Sequence, residues 1–86
     1  MKTVTLRYFA SIRETVGVGS ETLRTDAPTL AALRDELIAR GGAHAAALAR
    51  GRAVRLALDQ VMAPDESASL PEGGAEVAFF PPVTGG

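Results

Sequence analysis

One helical segment decides the fold, and it runs Thr29-Leu30-Ala31-Ala32-Leu33-Arg34-Asp35-Glu36-Leu37-Ile38. Its apolar residues recur at helical spacing and form one stripe: Leu30, Leu33, Leu37 and Ile38. Thr29 is the predicted N-cap, and Gly41-Gly42 is expected to end the helix. Glu36 and Arg40 are four residues apart in the order that favours an ion pair. The segment therefore predicts one principal helix with a single buried face.

Strand patterns precede this helix. Val4, Leu6 and Tyr8 alternate with polar residues, and this period of two marks a half-buried strand. A second strand is predicted over residues 20–25, after the turn Gly17-Val18-Gly19. Because the connection is short, we expect the two strands to pair as a hairpin.

Two shorter helices are also predicted. Ser11 and Glu14 have the spacing of a capping box, so a helical turn is expected over residues 12–16, ending at Gly17. The alanine-rich stretch 44–49 predicts a second short helix after the principal one.

More strand patterns follow the principal helix. Runs of strands interrupted by one main helix are typical of an α+β domain in which the helix packs on one face of the sheet. The predicted elements are a strand over 54–58, a turn at Asp59-Gln60, a short strand at Val61-Met62, a loop over 64–71, a turn over 72–74 and a last strand over 76–80.

Composition limits the possible classes of function. The chain has 86 residues, which predicts one domain, and its formal net charge of -1 gives no basic footprint for nucleic acid. There are no cysteines, so disulfides and thiolate chemistry are excluded. No apolar run approaches the length of a membrane span and no signal peptide is evident, so we expect a cytoplasmic protein with no membrane partner. Arg50, Arg52 and Arg55 are interpreted as a solvated face rather than an anion site.

Conventional catalysis finds little support in the sequence. The one histidine, His44, lies in an alanine-rich stretch away from any nucleophile motif, so we expect it to be a surface or helix-end residue. No glycine-rich loop has the context of a phosphate-binding or dinucleotide-binding site. The carboxylates are scattered over turns and helix faces. The chain is therefore not expected to contain an active site of its own, and no stably bound cofactor or metal is expected.

The end of the sequence is the exception. It runs Phe79-Phe80-Pro81-Pro82-Val83-Thr84-Gly85-Gly86. Two prolines end the last strand and favour an extended backbone, and two glycines without Cβ atoms can enter a narrow channel. Six extended residues reach roughly 20 Å. We therefore predict a folded α+β domain over 1–80 and an extended tail over 81–86, although a diglycine end also fits an ordinary frayed terminus.

Three segments resemble one family, the small subunits of molybdopterin synthase. They are Leu6 to Glu14, Pro28-Thr29-Leu30 leading into Leu33, and Val77 to Gly86. The resemblance implies a ubiquitin-like β-grasp fold, with a mixed sheet wrapped around a helix. Asp59 stands at a turn where the family often has asparagine, and both residues tolerate left-handed turn geometry.

The resemblance also implies a mechanism and two partners. An ATP-dependent adenylating enzyme would form an acyl-adenylate at Gly86, and a persulfide-type donor would displace AMP to leave a thiocarboxylate. The large catalytic subunit would then bind the tail, and the sulfur would attack a cyclic pyranopterin monophosphate. A heterotetramer with this large subunit is implied as well. Gly86 and Gly85 are thus the expected reactive end of the chain.

A second group of residues is expected to bind the partners. If the last strand is regular, Val77 and Phe79 face the core while Phe80 faces outwards. The family resemblance suggests an acidic partner group for Arg13, whereas the alternative is a solvated residue. Core packing remains an alternative for Phe80 and for Met62. The expected partner-binding residues are Arg13, Met62, Phe80, Pro81, Pro82, Val83 and Thr84.

Three rival functions share parts of this pattern. A sulfur carrier for thiamine synthesis or tRNA thiolation would use the same tail with another acceptor. A ubiquitin-like modifier would form isopeptide bonds through Gly86. A purely structural interaction module would not need the diglycine at all.

Overall fold

The computed structural model describes residues 1–82, and this part of the chain forms five strands and three helices. Their order confirms the predicted sequence of elements, with small differences at the ends of several of them. The elements are β1 Lys2–Tyr8, α1 Ala10–Val16, β2 Ser20–Thr25, α2 Leu30–Ala39, α3 Gly42–Leu48, β3 Arg55–Leu58, β4 Val61–Met62 and β5 Ala75–Phe80.

The five strands form one mixed sheet in the order β2-β1-β5-β3-β4. β1 pairs with β5 in parallel, and the other neighbours are antiparallel. The predicted hairpin of β1 and β2 is confirmed, with Val4 opposite Leu23. Because the apolar residues of α2 join the core on one side of this sheet, the architecture is the predicted α+β β-grasp fold.

Alternation along the strands divides the sheet into two faces. Val4, Leu6 and Tyr8 are buried together with Val77 and Phe79, which lie beside Leu6 and Tyr8 on β5. The side chains between them point to the other side of the sheet, which we call the outer face. The full core cluster consists of Val4, Leu6, Tyr8, Ile12, Ala27, Leu30, Leu33, Leu37, Ala47, Leu48, Leu56, Ala63, Leu70, Val77 and Phe79.

The principal helix begins as predicted. The Thr29 hydroxyl accepts a hydrogen bond from the Ala32 amide at 3.2 Å and so caps α2. Leu30, Leu33 and Leu37 are fully buried, which confirms the apolar stripe.

The predicted ion pair within α2 is wrong, because both side chains have partners in other elements. Glu36 accepts a hydrogen bond from the Thr25 hydroxyl at 2.6 Å, and Arg40 donates to Glu21 at 3.3 Å. Arg34 is also buried, a feature that the apolar stripe did not predict. Its guanidinium bonds the Leu48 carbonyl at 2.8 Å and so ties α2 to the end of α3.

Two predicted helix starts are also wrong. α1 begins at Ala10 with Phe9 in the N-cap position, and no side chain caps it, so Ser11 and Glu14 do not form a capping box. Ala10 has a φ of 51°, which turns the chain from β1 directly into the helix. α3 begins at Gly42 rather than at residue 44. Gly41 is its N-cap and has a φ of 75°, a conformation that glycine adopts readily, so the helix can begin at the next residue.

The turn at Asp59 and Gln60 is confirmed, and both residues have positive φ, 49° and 70°. The Asp59 amide donates to the Glu76 carbonyl at 2.8 Å, and the Asp59 carboxylate accepts from the Glu76 amide at 2.9 Å. The turn is thereby fixed to β5. Within residues 1–82, no helix has both the length and the apolar character needed to cross a membrane.

Candidate functional site

The last strand places consecutive phenylalanines on opposite faces of the sheet. Phe79 is fully buried and stacks on Tyr8, with ring centroids 5.7 Å apart, which confirms its predicted core position along with that of Val77. Phe80 is half-buried and meets Phe9 edge to face, with centroids 6.4 Å apart and planes at 84°. The predicted outward orientation of Phe80 is therefore correct.

Phe9 is a residue that sequence reasoning missed. Its ring is 42% exposed, and its amide donates to the Phe79 carbonyl at 3.1 Å, which holds it beside β5. The side chain follows the alternation of β1 by one position, so continuing the period of two past Tyr8 would have found it. The Arg7 guanidinium lies over the face of the Phe9 ring, 5.5 Å from its centre, in a cation–π contact.

Apolar side chains continue from this aromatic pair across the outer face. Ala78 pairs with Ala57 in the ladder of β5 and β3, and Ala57 pairs with Met62 in the ladder of β3 and β4. Met62 is 46% exposed, so its alternative interpretation as a core residue is not supported. We call this surface the apolar strip, and it consists of Phe9, Phe80, Ala78, Ala57 and Met62.

The predicted tail begins at the end of this strip. Pro81 and Pro82 are half-buried and, together with Phe9, Ala10 and Phe80, line an open depression of about 450 Å³ on the outer face. The tail thus leaves the domain beside the aromatic pair. The other predicted tail residues, Val83, Thr84, Gly85 and Gly86, lie outside the described residues.

Arg13 lies on the same side of the molecule as the aromatic pair. It is exposed on α1 and lines a groove of about 370 Å³ with Arg7 and Phe9. Within residues 1–82, no carboxylate comes within 4.0 Å of it. The prediction that a partner binds Arg13 stays a prediction, with a solvated position as its alternative.

His44 lies near the N-terminal end of α3 and is partly buried, in agreement with the helix-end position that the sequence allowed. Its Nε2 lies 2.7 Å from a carboxylate oxygen of Glu21, which also accepts from the Tyr8 hydroxyl at 2.8 Å, while Arg40 donates to the other oxygen. This cluster joins β1, β2, α2 and α3 on the helix-covered side of the sheet, away from the tail. These contacts indicate a structural role for His44.

The cluster also shifts two pKa values. Burial, helped by the hydrogen bond to Glu21, raises the pKa of the Tyr8 hydroxyl far above its ordinary value. Burial alone would raise the pKa of the Glu21 carboxyl, but hydrogen bonds from His44 and Tyr8 lower it below the ordinary value. Glu21 is therefore an anion at neutral pH, and hydrogen bonds from these neighbours stabilise its negative charge.

The rest of the described surface carries charged side chains that pair with one another. Among residues 1–82, no group of three or more histidine, cysteine, aspartate or glutamate side chains could hold a metal ion. Arg50 is exposed, as predicted, and also bonds Asp35 at 3.0 Å as well as Glu66 and the Ala31 carbonyl. The charges of Asp35, Arg50 and Glu66, which line a groove, are therefore paired within the chain.

Comparison with known proteins gives a consistent picture. Residues 6–86 match the model of the ThiS family. The molybdopterin synthase sulfur carrier subunit of Haemophilus influenzae is 43% identical over 79 residues, which cover 92% of this chain and 94% of that protein. The subunit of the same name from Escherichia coli K12 is 38% identical over the same coverage. The solution structure of a Haloferax volcanii protein is 28% identical, with a TM-score of 0.77 over 99% of this chain and 87% of that one.

Proposed function

The chain belongs to the ThiS family and functions as the sulfur carrier subunit of a molybdopterin synthase, and from that premise we propose that Gly86 carries the sulfur as a thiocarboxylate. One observation supports this most directly: the family match extends over residues 6–86 and so includes both glycines that end the sequence. The proposal also agrees with the place where the tail leaves the sheet, beside an exposed apolar surface.

The chemistry follows from the properties of a main-chain carboxylate. Such a group has a pKa of about 3.5 and is ionised at neutral pH, so it is a poor electrophile. Reaction with ATP in an adenylating partner would give an acyl-adenylate at Gly86 and release pyrophosphate. A sulfur donor at the hydrosulfide oxidation level would then displace AMP and leave a thiocarboxylate. The anionic sulfur is a good nucleophile towards a cyclic pyranopterin monophosphate in the large catalytic subunit.

The domain contributes position rather than acid-base groups. The tail over 81–86 begins at the end of β5, where Pro81 and Pro82 are half-buried against the domain. Six extended residues span at most about 20 Å, so the reactive end stays within that radius of Phe80. Holding a covalently attached reactant near its target replaces a bimolecular encounter with an intramolecular one. Transfer from a defined point on the domain is the contribution we assign to this chain.

We place the docking surface of the large subunit on the apolar strip. Phe9 and Phe80 form an exposed aromatic pair next to the tail, and Met62 extends the surface by two strands. Aromatic residues and methionine are enriched in the cores of protein interfaces. A partner seated there would receive the tail in its own pocket, and the adenylating enzyme would use the same surface at a different stage. In the proposed assembly, two copies of this chain bind a dimer of large subunits.

Intact mass spectrometry tests the proposal. The protein is incubated with the adenylating enzyme, ATP and a sulfur source, and the expected product gains the mass of one sulfur in place of one oxygen at Gly86. Deleting Gly86 should abolish this product and the formation of molybdopterin, because the new terminal carboxylate falls short of its position. The melting temperature should stay unchanged, since residue 86 lies beyond β5.

Two results would contradict the proposal. One is a Gly86 deletion that still supports synthesis of molybdopterin with the large subunit. The other is a wild-type protein that forms higher-mass adducts on target lysines instead of a thiocarboxylate, which would favour a protein modifier.

A further inference from the structure

Three exposed arginines surround the point where the tail leaves the domain. Arg55 is the ladder partner of Phe80 on the β3 side, and Arg13 lies on the opposite side, in the groove lined by Phe9. Arg52 lines a second groove, of about 370 Å³, together with Pro81 and Pro82. We call Arg13, Arg52 and Arg55 the arginine collar.

The three collar arginines, like Arg24 on β2, have no carboxylate partner within 4.0 Å among residues 1–82. Arg34 and Arg50, by contrast, each pair with Glu66. The chain as a whole carries a formal charge of -1, so the positive collar results from placement and not from composition. Uncompensated charges of one sign around an apolar surface are an arrangement that an oppositely charged partner would complement.

The position of Arg13 is supported by the backbone beneath it. A Cβ atom added at Gly19 would lie 3.2 Å from the Arg13 Nε, so the guanidinium rests closely on this glycine. The neighbouring acidic residue on α1, Glu14, makes no ion pair with Arg13. The guanidinium is therefore held near the aromatic pair with its charge available to a partner.

We propose that the arginine collar binds carboxylates of the large catalytic subunit, arranged around the mouth of the pocket that receives the tail. This inference rests on the proposed function and adds the chemistry of the partner: an apolar docking surface bordered by acidic residues. The collar surrounds the root of the tail, and the reacting atoms lie up to about 20 Å away at its end. The arginines would consequently guide and orient association without contacting the pterin phosphate.

Charge at the rim of an interface acts mainly on the rate of association. Such charges steer diffusional encounter, and their effect falls as salt screens them. Replacing a collar arginine by glutamate should put like charges together, whereas lysine retains the positive charge. Arg24 offers a matched control, because it is exposed on the same outer face but pairs with Thr3, at the end of β1 far from the tail.

The experiment measures association and dissociation rates of the full chain with the cognate large subunit at low and high salt. We expect Arg13→Glu and Arg55→Glu each to slow association by about three- to tenfold at low salt, with dissociation changed less than about twofold. The Lys variants should stay within about twofold of wild type, as should Arg24→Glu. Melting temperatures identify any variant that is unfolded.

The outcomes separate this inference from the proposed function. Suppose that wild type binds and transfers sulfur but Arg24→Glu slows association as much as Arg55→Glu. The net charge of the chain then explains the effect, and the collar proposal is refuted while the proposed function stands. The same holds if neither collar variant changes the rate. If the wild-type chain does not bind the large subunit at all, the proposed function fails and the inference with it.

Discussion

Replacing Phe80 by alanine should weaken partner binding more than it weakens the fold. Phe80 is half-buried, and its described aromatic contact is the edge-to-face pair with Phe9. Truncating a fully buried phenylalanine costs about 3–5 kcal/mol, and an aromatic pair accounts for about 0.5–1.5 kcal/mol. A half-buried ring should therefore lose only about 1–2 kcal/mol of the free energy of unfolding. In a domain of this size, that is a fall in melting temperature of about 5–15 °C.

The loss of binding should be larger. If the apolar strip docks the large subunit, Phe80 is an aromatic anchor of that surface, next to the start of the tail. Aromatic anchors of interfaces typically cost about 2 kcal/mol or more on truncation to alanine. We expect the Kd of the complex with the large subunit to rise by roughly 30-fold or more.

Phe79 provides the matched control, because it is the adjacent residue on the opposite face of β5. Phe79→Leu removes part of a fully buried ring and should destabilise the domain by about 1–2 kcal/mol, similar to Phe80→Ala. Its Kd should stay within about twofold of wild type, because the side chain does not reach the outer face. Urea unfolding and isothermal titration calorimetry measure the two quantities. Equal changes in Kd for the two variants, or an unchanged Kd for Phe80→Ala, would refute this reasoning.

Two further predictions concern the stability of the domain. Gly74→Ala should lower the free energy of unfolding by at least about 2 kcal/mol. Gly74 has a φ of 94°, and a Cβ atom added there would clash with the Thr3 carbonyl oxygen. Gly73→Ala is the control: a Cβ atom there would have no neighbour within 4 Å, so the variant should be nearly neutral in the same urea titration. The folded pKa of Glu21 lies below the ordinary value of a glutamate carboxyl, so its contribution to stability is present above that ordinary value and is lost as the pH falls through the folded pKa. The Glu21→Gln variant should therefore lose less stability than wild type between neutral pH and the acid range, and parallel pH profiles of melting temperature would contradict this.

The sequence predicted the features that depend on local pattern. The alternation of Val4, Leu6 and Tyr8 identified β1, and the threonine at position 29 identified the start of α2. In each case the signal lies within a few residues, because strand period and helix capping are properties of short segments. The outward position of Phe80 followed from the same period.

The failures concern contacts between residues that are distant in the sequence. Glu36 and Arg40 were predicted to pair with each other, but the tertiary structure places Thr25 beside one and Glu21 beside the other. The helix-end position of His44 was predicted, but its partner Glu21, which is 23 residues away, was not. A helical pattern cannot indicate such partners, since they depend on how α2 and α3 pack against the sheet.

The arginine cluster shows the same limit at the candidate site. Arg50, Arg52 and Arg55 are close in sequence and were interpreted together as a solvated face. The structure separates them, because Arg50 pairs with Asp35 and Glu66, while Arg52 and Arg55 lie near the tail with no carboxylate of residues 1–82 within 4.0 Å. Charge counts and spacing could not distinguish an arginine that completes an internal ion pair from one available to a partner.

The position of β5 in the sheet links the fold to the proposed function. β5 is the third of five strands and pairs with β1 on one side and β3 on the other, so the root of the tail is fixed from both directions. An edge strand would be paired on one side only and would fray more easily. Alternation within β5 also buries Phe79 in the core while presenting Phe80 to the outer face. The proposed docking residue Phe80 and the start of the tail at Pro81 are therefore consecutive residues, so a partner that binds Phe80 fixes the starting point from which Gly86 must reach its target.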